Sequence, residues 1–180
     1  MKTLHKVIVL GVLACAAASC ESPTMRNVQG PQMRPATITG ARRIANVRTT
    51  AYTHTEKGGR RNAIGVRLSG SNVMSAASDW SRFPLGTRFR IVGTTEEYII
   101  DDYGTALVGT NTIDLYKKSR LEMKRWGVRH VDIDILEWGS EAKSLSVLTP
   151  RARHRTVQRM MVGLQKKGSS RSPNRALALD

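Results

Sequence analysis

The sequence predicts a mainly β fold: a small closed barrel of about six short strands around one helix, with a basic helix outside it. Three observations point there. Between Ala45 and Gly139 apolar residues recur mostly at alternate positions, the spacing of strands that turn one face inward. Glycine-containing turns interrupt these runs at short intervals. Only one segment in that span carries both helix start and helix stop signals, so the strand–helix–strand rhythm of an open parallel sheet is missing.

Taken in order, Asn46–Thr53 is β-branched and aromatic with rough alternation. Turns follow at Gly58-Gly59 and Gly70-Ser71-Asn72, and Met74–Ala77 is a short apolar strand. Phe83-Pro84-Leu85-Gly86 turns the chain into Thr87–Val92, where Phe89 and Ile91 alternate with Arg88 and Arg90. Tyr98–Ile100 runs into Asp101-Asp102, and Ile113–Tyr116 is a further strand. Ser119 with Glu122 three residues on is a capping box, and Gly127 stands where a C-terminal cap is wanted. Leu121 and Trp126 of that helix are expected to face the core. In the last strand Val131, Ile133 and Ile135 alternate with His130, Asp132 and Asp134.

The chain has 180 residues, enough for one domain between two ends of different character. Residues 1–19 have a basic start, an apolar run from Val7 to Leu13 that is short for a bilayer span, and a small-residue exit. That is the pattern of a signal peptide, against which the alternative is a buried core strand. Ala17-Ala18-Ser19-Cys20 is similar to the bacterial lipoprotein cleavage box, in which Cys20 becomes the lipidated first residue; Ala17 stands where Leu is usual. Ordinary cleavage near Ala18 is the rival route and leaves Cys20 as a thiol. Neither route leaves a cysteine pair for a disulfide. Residues 20–44 are polar and proline-bearing, a flexible linker, and 45–139 are the barrel domain. In the tail, 140–180, Thr149-Pro150 reads as a helix start and 151–167 as the helix, with Val157, Met160, Met161 and Leu164 on one face.

Charge narrows the partners. Lys and Arg number 29 against 14 Asp and Glu, a formal +15, and nine of the basic residues lie beyond Gly139 with only Glu141 and Asp180 against them. Such an excess favours a polyanion: nucleic acid, anionic lipid or acidic wall polymer. The export signal and an aromatic share of only 5% argue against nucleic acid. A solvated basic face on a docked helix is the plainer alternative for the tail.

For chemistry the sequence leaves carboxylates. It has no nucleotide-cradling glycine loop, no paired-cysteine metal pattern and no serine nucleophile elbow, so neither cofactor nor metal is expected. His54 and His130 lack metal-type spacing and read as surface or packing residues. In Ile113-Asp114-Leu115, alternation sends Asp114 away from its apolar neighbours, to the outer face or a groove. An outward, solvated aspartate is the plain alternative. Gly104 and Gly109, however, let the intervening loop fold closely enough for Asp102 and Asp114 to share a pocket. Two nearby carboxyls do not ionise independently, so one can stay protonated and serve as a general acid, which glycosidic cleavage requires.

Four motifs in order, Ala76–Thr87 with Asp79, Ile100–Gly109 with Asp102, Ile113–Tyr116 with Asp114, and Arg125–Asp132, resemble the three-aspartate (3D) domain family. That family includes the C-terminal part of membrane-bound lytic transglycosylase A and the stationary-phase survival proteins. The resemblance implies a double-psi β-barrel. It implies cleavage of peptidoglycan between N-acetylmuramic acid and N-acetylglucosamine without water, leaving a 1,6-anhydro end. It makes Asp114 the acid and base, Asp102 the second pocket carboxylate, and Asp79 the third. The reading of Asp79 from its own surroundings is a loop brace. Lys57 matches a basic substrate-binding position of the survival proteins, and Gly104 and Tyr116 fall in the motifs as substrate contacts or support. The loop between Asp102 and Asp114 departs from the pattern, with Leu107-Val108-Gly109-Thr110 where a lysine is common. The partners implied are peptidoglycan strands, a membrane through the lipid anchor, and anionic lipid or wall polymer for the tail. The expected place is the cell envelope, as a periplasm-facing lipoprotein or a secreted protein. The alternative is a non-catalytic peptidoglycan-binding lipoprotein.

Overall fold

The computed structural model describes residues 42–56 and 58–170. The segment read as a signal peptide, Cys20, the stretch read as a linker up to residue 41, Lys57 and residues 171–180 lie outside the described residues. Six strands, β1 (Arg42–Tyr52), β2 (Val73–Ala77), β3 (Arg88–Ile91), β4 (Glu97–Asp102), β5 (Ile113–Tyr116) and β6 (Arg129–Glu137), close into a barrel in the order β1-β5-β2-β4-β3-β6. β1 pairs parallel with β5 and β2 parallel with β4; the other four pairings are antiparallel. The alternating positions explain the closure. Phe89, Ile91, Tyr98, Ile100, Ile113, Leu115, Ile133 and Ile135 are all buried and share one core, in which Phe89 and Tyr98 stack at 5.4 Å. Closure also leaves no open sheet edge among the described strands. A closed six-stranded mixed barrel is the architecture that the strand pattern predicts.

Two local readings need correction. The stretch read as linker to residue 44 gives way to β1 at Arg42, because Arg43 grips Asp134 of β6 through two bonds of 2.9 and 3.0 Å. A bulge between Ile44 and Val47 then brings the strand round, with Asn46 at a φ of 57° and its N–H on the Asp132 carboxylate at 2.9 Å. The first helix, α1 (Arg120–Trp126), has its expected caps: Ser119 Oγ accepts from Glu122 N–H and Gly127 N–H reaches the Met123 carbonyl. Leu121, however, is exposed. Five residues turn a helix through about 140° beyond a full circle, so Leu121 and Trp126 cannot share a face. Trp126 takes the inner one, between the Lys117 ammonium at 4.8 Å and the Arg129 guanidinium at 4.4 Å.

Beyond the barrel lies a helix that the sequence reading missed, α2 (Glu141–Leu148), followed by a 3-10 turn (Thr149–Arg151) and α3 (Arg155–Ser170). Ser140 caps α2 by accepting from Lys143 N–H at 3.1 Å, and Ser144 Oγ accepts from Leu85 N–H at 2.9 Å, which ties the helix to the barrel. Thr149-Pro150 does not open the tail helix, which starts at Arg155. Pro150 instead sits in the turn that ends α2, where its missing N–H costs little. Leu148, Val157, Met160 and Leu164 are buried in the same apolar cluster as the barrel interior.

The tail helices therefore belong to the folding unit. Met160→Ala, at 0% exposure, is expected to cost about 2–5 kcal/mol in urea unfolding. An unchanged midpoint and slope would show that α3 does not share the core.

Candidate active site

The site follows from the pairing of one strand. β2 lies between β4 and β5, and its last residue, Ala77, is partnered by Asp102 on one side and Asp114 on the other. With neighbouring strands about 4.8 Å apart, the two aspartate backbones stand about 10 Å apart. Ala77 has only a methyl group to put between them. On the β4 side the register shifts: Ala76 faces Ile100 and Ala77 faces Asp102, which makes Asp101 the extra residue of a bulge. The bulge separates the two adjacent acids. Asp101 is buried and accepts from Asn62 Nδ2 at 2.8 Å and Ser75 Oγ at 2.7 Å. Asp102 is left to a cleft of about 440 Å³ that it shares with Asp114, Tyr52, Glu56, Arg61 and the Tyr103–Leu107 segment.

Each aspartate of the cleft is held differently. Asp114 Oδ1 accepts from the hydroxyl of Thr50, its register partner on β1, at 2.5 Å. Asp102 Oδ1 accepts from Tyr103 N–H at 2.9 Å, and its backbone carbonyl accepts from Trp80 Nε1–H at 2.8 Å. Trp80 is fully buried and meets the Tyr103 ring edge-on at 5.1 Å. Arg151, from the turn before α3, lies over the Tyr103 ring, with its guanidinium 6.0 Å from the ring centre and Nη2 donating to the Ala63 carbonyl at 2.7 Å.

These surroundings raise both acids. Burial pushes the Asp102 carboxyl up to about 6; the Tyr103 N–H opposes, the Asp101 charge adds, and the Ala63 N–H and Arg151 charge oppose. Burial also raises Asp114, with Thr50 opposing, Glu56 adding and Arg48 opposing. The sequence argument rested on mutual repulsion between the pair. The cause is instead desolvation of each carboxyl, and the charges that add to it are Asp101 and Glu56. Tyr52 adds a third polar group. Its hydroxyl is buried without a partner, and burial followed by the charges of Asp102, Asp101 and Asp114 keeps the phenol protonated, hence a donor.

Other residues named from the sequence take other places. Asp79 is outside the cleft; its Oδ1 accepts from Ser81 N–H at 2.8 Å and its Oδ2 from Gly109 N–H at 2.7 Å, which fastens the loop that carries Gly104. Gly109 needs its lack of a side chain, with a φ of 88°, whereas Gly104 at −123° is extended and lines the cleft. Tyr116 stands behind Tyr52, edge-on at 5.6 Å, and its hydroxyl shares a hydrogen bond with His54 Nδ1 at 3.0 Å. Thr50, Tyr52, Ala77, Trp80 and Arg151 were not singled out in the sequence. Thr50 and Tyr52 do carry a signal, since they are two apart on one strand, but only the β1–β5 register shows what they meet. Among the described residues no group of three or more His, Cys, Asp or Glu is placed to share a metal ion.

The fold and site define a class: a small closed barrel that holds two half-buried aspartates across one cleft. Residues 74–137 match the family model of the 3D domain, and this part of the chain is similar to that family. The match runs from β2 to the end of β6 and contains Asp79, Asp102 and Asp114, while β1 and the tail helices fall outside it. The 3D domain is associated with lytic transglycosylase-like domains. No curated protein matches the chain.

The raised carboxyl has a signed consequence for stability. A folded value above the unfolded one means that the unfolded state gives up its proton first, so Asp102 weighs increasingly against folding as pH rises from about 4 to about 6. Asp102→Asn removes that burden. Its melting temperature is expected to gain on wild type between about pH 4 and pH 6 and to hold the gain above. A difference that does not vary with pH would contradict the assigned environment.

Proposed function

We propose that this protein is an exported lytic transglycosylase that cuts peptidoglycan between N-acetylmuramic acid and N-acetylglucosamine. The observation that carries the reading is the pair of half-buried, raised aspartates set on either side of Ala77 in the stretch that matches the 3D domain. Glycosidic cleavage needs a carboxyl that is protonated near neutral pH and a second charge near the anomeric carbon.

In this mechanism Asp114 gives its proton to the leaving oxygen of the N-acetylglucosamine unit as the bond from C1 breaks. Positive charge develops at C1 and the ring oxygen. Asp102 is fixed by the Tyr103 amide, the Arg151 charge favours its ionised form, and that form stabilises the charge at C1. The Asp114 carboxylate then takes the proton of the C6 hydroxyl, and O6 closes on C1. The products are a 1,6-anhydro muramoyl end and a free N-acetylglucosamine hydroxyl, with no water consumed. Asp114 suits the moving proton because its one side-chain partner is the Thr50 hydroxyl on Oδ1. A bound glycan displaces water from the cleft and deepens the desolvation that already raises Asp114. Tyr52 donates to the substrate from the cleft wall, and Asp79 acts at one remove by bracing the loop.

The same reading assigns the first 19 residues to export and Cys20 to a lipid anchor, so that the domain faces the wall from the envelope. The tail's basic face then lies against anionic lipid or wall polymer.

Digestion of purified sacculi tests the proposal. The wild-type chain is expected to release anhydro-muropeptides, identified by mass spectrometry. Asp114→Asn should reduce release at least about 100-fold, in line with loss of a general acid–base group, and wild-type activity should fall as pH rises and the acid ionises. Binding of sacculi without anhydro products would leave a wall-binding module and overturn the enzyme. Equal release by wild type and Asp114→Asn would remove Asp114 from its role.

A further inference from the structure

A second cavity, of about 540 Å³, lies on the other side of the loop that walls the cleft. Gly104 to Leu107 face the aspartates, whereas Val108, Gly109 and Asn111 line this second space together with Arg82, Trp138 and residues of α3. No proposed step of the cleavage uses it.

Its walls are built rather than incidental. α3 meets the Asp79–Phe83 turn at Gly163, where an added Cβ would stand 2.6 Å from Ser81 Cβ, so no larger residue permits this approach. Arg82 reaches across the opening, with Nη1 donating to Asn111 Oδ1 at 2.6 Å, and Lys167 Nζ donates to the Arg82 carbonyl at 3.4 Å. Trp138 is 40% exposed and lies parallel to Phe83, with ring centres 6.4 Å apart, leaving an indole face at the rim.

The electrostatics have one sign. Arg82, Arg159 and Lys167 contribute positive charge, and Arg159 makes no ion pair among the described residues. The single carboxylate of the lining, Asp79, is only 2% exposed, and two backbone amides occupy its oxygens. At a formal +15 this chain has many exposed cations. What distinguishes these is convergence on a walled cavity with an aromatic face, next to the cleft. A neutral sugar has no use for such charge; a guanidinium fork matches a carboxylate.

We propose that this cavity is a subsite for the carboxylate-bearing peptide of the wall polymer, engaged while the glycan to which it is attached lies in the aspartate cleft. The choice of polymer rests on the function proposed above; the carboxylate preference rests on the cavity itself. Arg82 and Arg159 hold the carboxylate, and Trp138 covers the apolar part of the peptide. Two of the elements that make the cavity, the segment at Trp138 and α3, lie beyond residue 137, where the 3D match ends. The basic tail thus adds peptide recognition to the barrel.

Calorimetric titration of the full chain with a synthetic N-acetylmuramoyl pentapeptide, and with the same compound carrying amidated carboxyls, is the test. The acid form is expected to bind about tenfold more tightly than the amidated form, as loss of charge-assisted bonds implies. The double variant Arg82→Gln, Arg159→Gln should bind both forms alike and melt with wild type, since both side chains are exposed. Equal affinity of wild type for the two peptides overturns the subsite, and needs no variant to fold. So does undiminished selectivity in the double variant. Cleavage of sacculi with no carboxylate selectivity refutes the subsite alone, whereas selectivity without anhydro products refutes the lytic reading and leaves the subsite standing.

Discussion

Ala77 sits at the end of β2 with hydrogen-bonded neighbours on both sides, and the ladder places Asp102 on one flank and Asp114 on the other. The candidate active site depends on that pairing. A parallel register to β4 with one bulge brings Asp102 rather than Asp101 opposite Ala77, and an antiparallel register to β5 does the same for Asp114. A slip of one residue in either ladder would send the aspartate to the other face. The register is secured by the core, because Ile100, Ile113 and Leu115 alternate with the acids and are fully buried. The same apolar positions that close the barrel therefore aim its carboxyls.

Burial then raises both carboxyls. Neither aspartate is raised chiefly by the other; each is lifted by its own removal from water and restrained by nearby donors. This divides the pair. Asp102 is held by a backbone amide and faces the charge of Arg151, while Asp114 is bonded by a single hydroxyl. Residues outside the matched stretch complete the site, Thr50 and Tyr52 from β1 and Arg151 from the tail. The described tail is thus part of the core through Met160, and part of the cleft's second layer through Arg151.

Much of the barrel is legible in the sequence because local patterns determine it. Period-two alternation marks Phe89–Ile91 and Val131–Ile135, and the Ser119/Glu122 box with Gly127 brackets α1. What escapes is set by contacts remote in sequence. Helix α2 is short and weakly patterned, and its docking depends on Ser144 meeting Leu85 across 59 positions. The start of β1 depends on Arg43 finding Asp134, 91 positions away. Asp102 and Asp114 are recognisable as a pair from their motifs, but the bulge that diverts Asp101 is not, since nothing local distinguishes two adjacent aspartates. Tyr52 and Arg151 are hidden for the same reason, each being ordinary until the strand order and the tail turn are known.

The central physical claim is that the cleft raises both carboxyls above their ordinary value. Carbon-13 NMR titration of the side-chain carboxyls in the free protein measures this directly, with Asp102 and Asp114 assigned by substitution. Asp102 is predicted to titrate at about 6, and Asp114 above its ordinary value of 3.8. Both groups titrating at or below 3.8 would show solvated carboxylates and contradict the account.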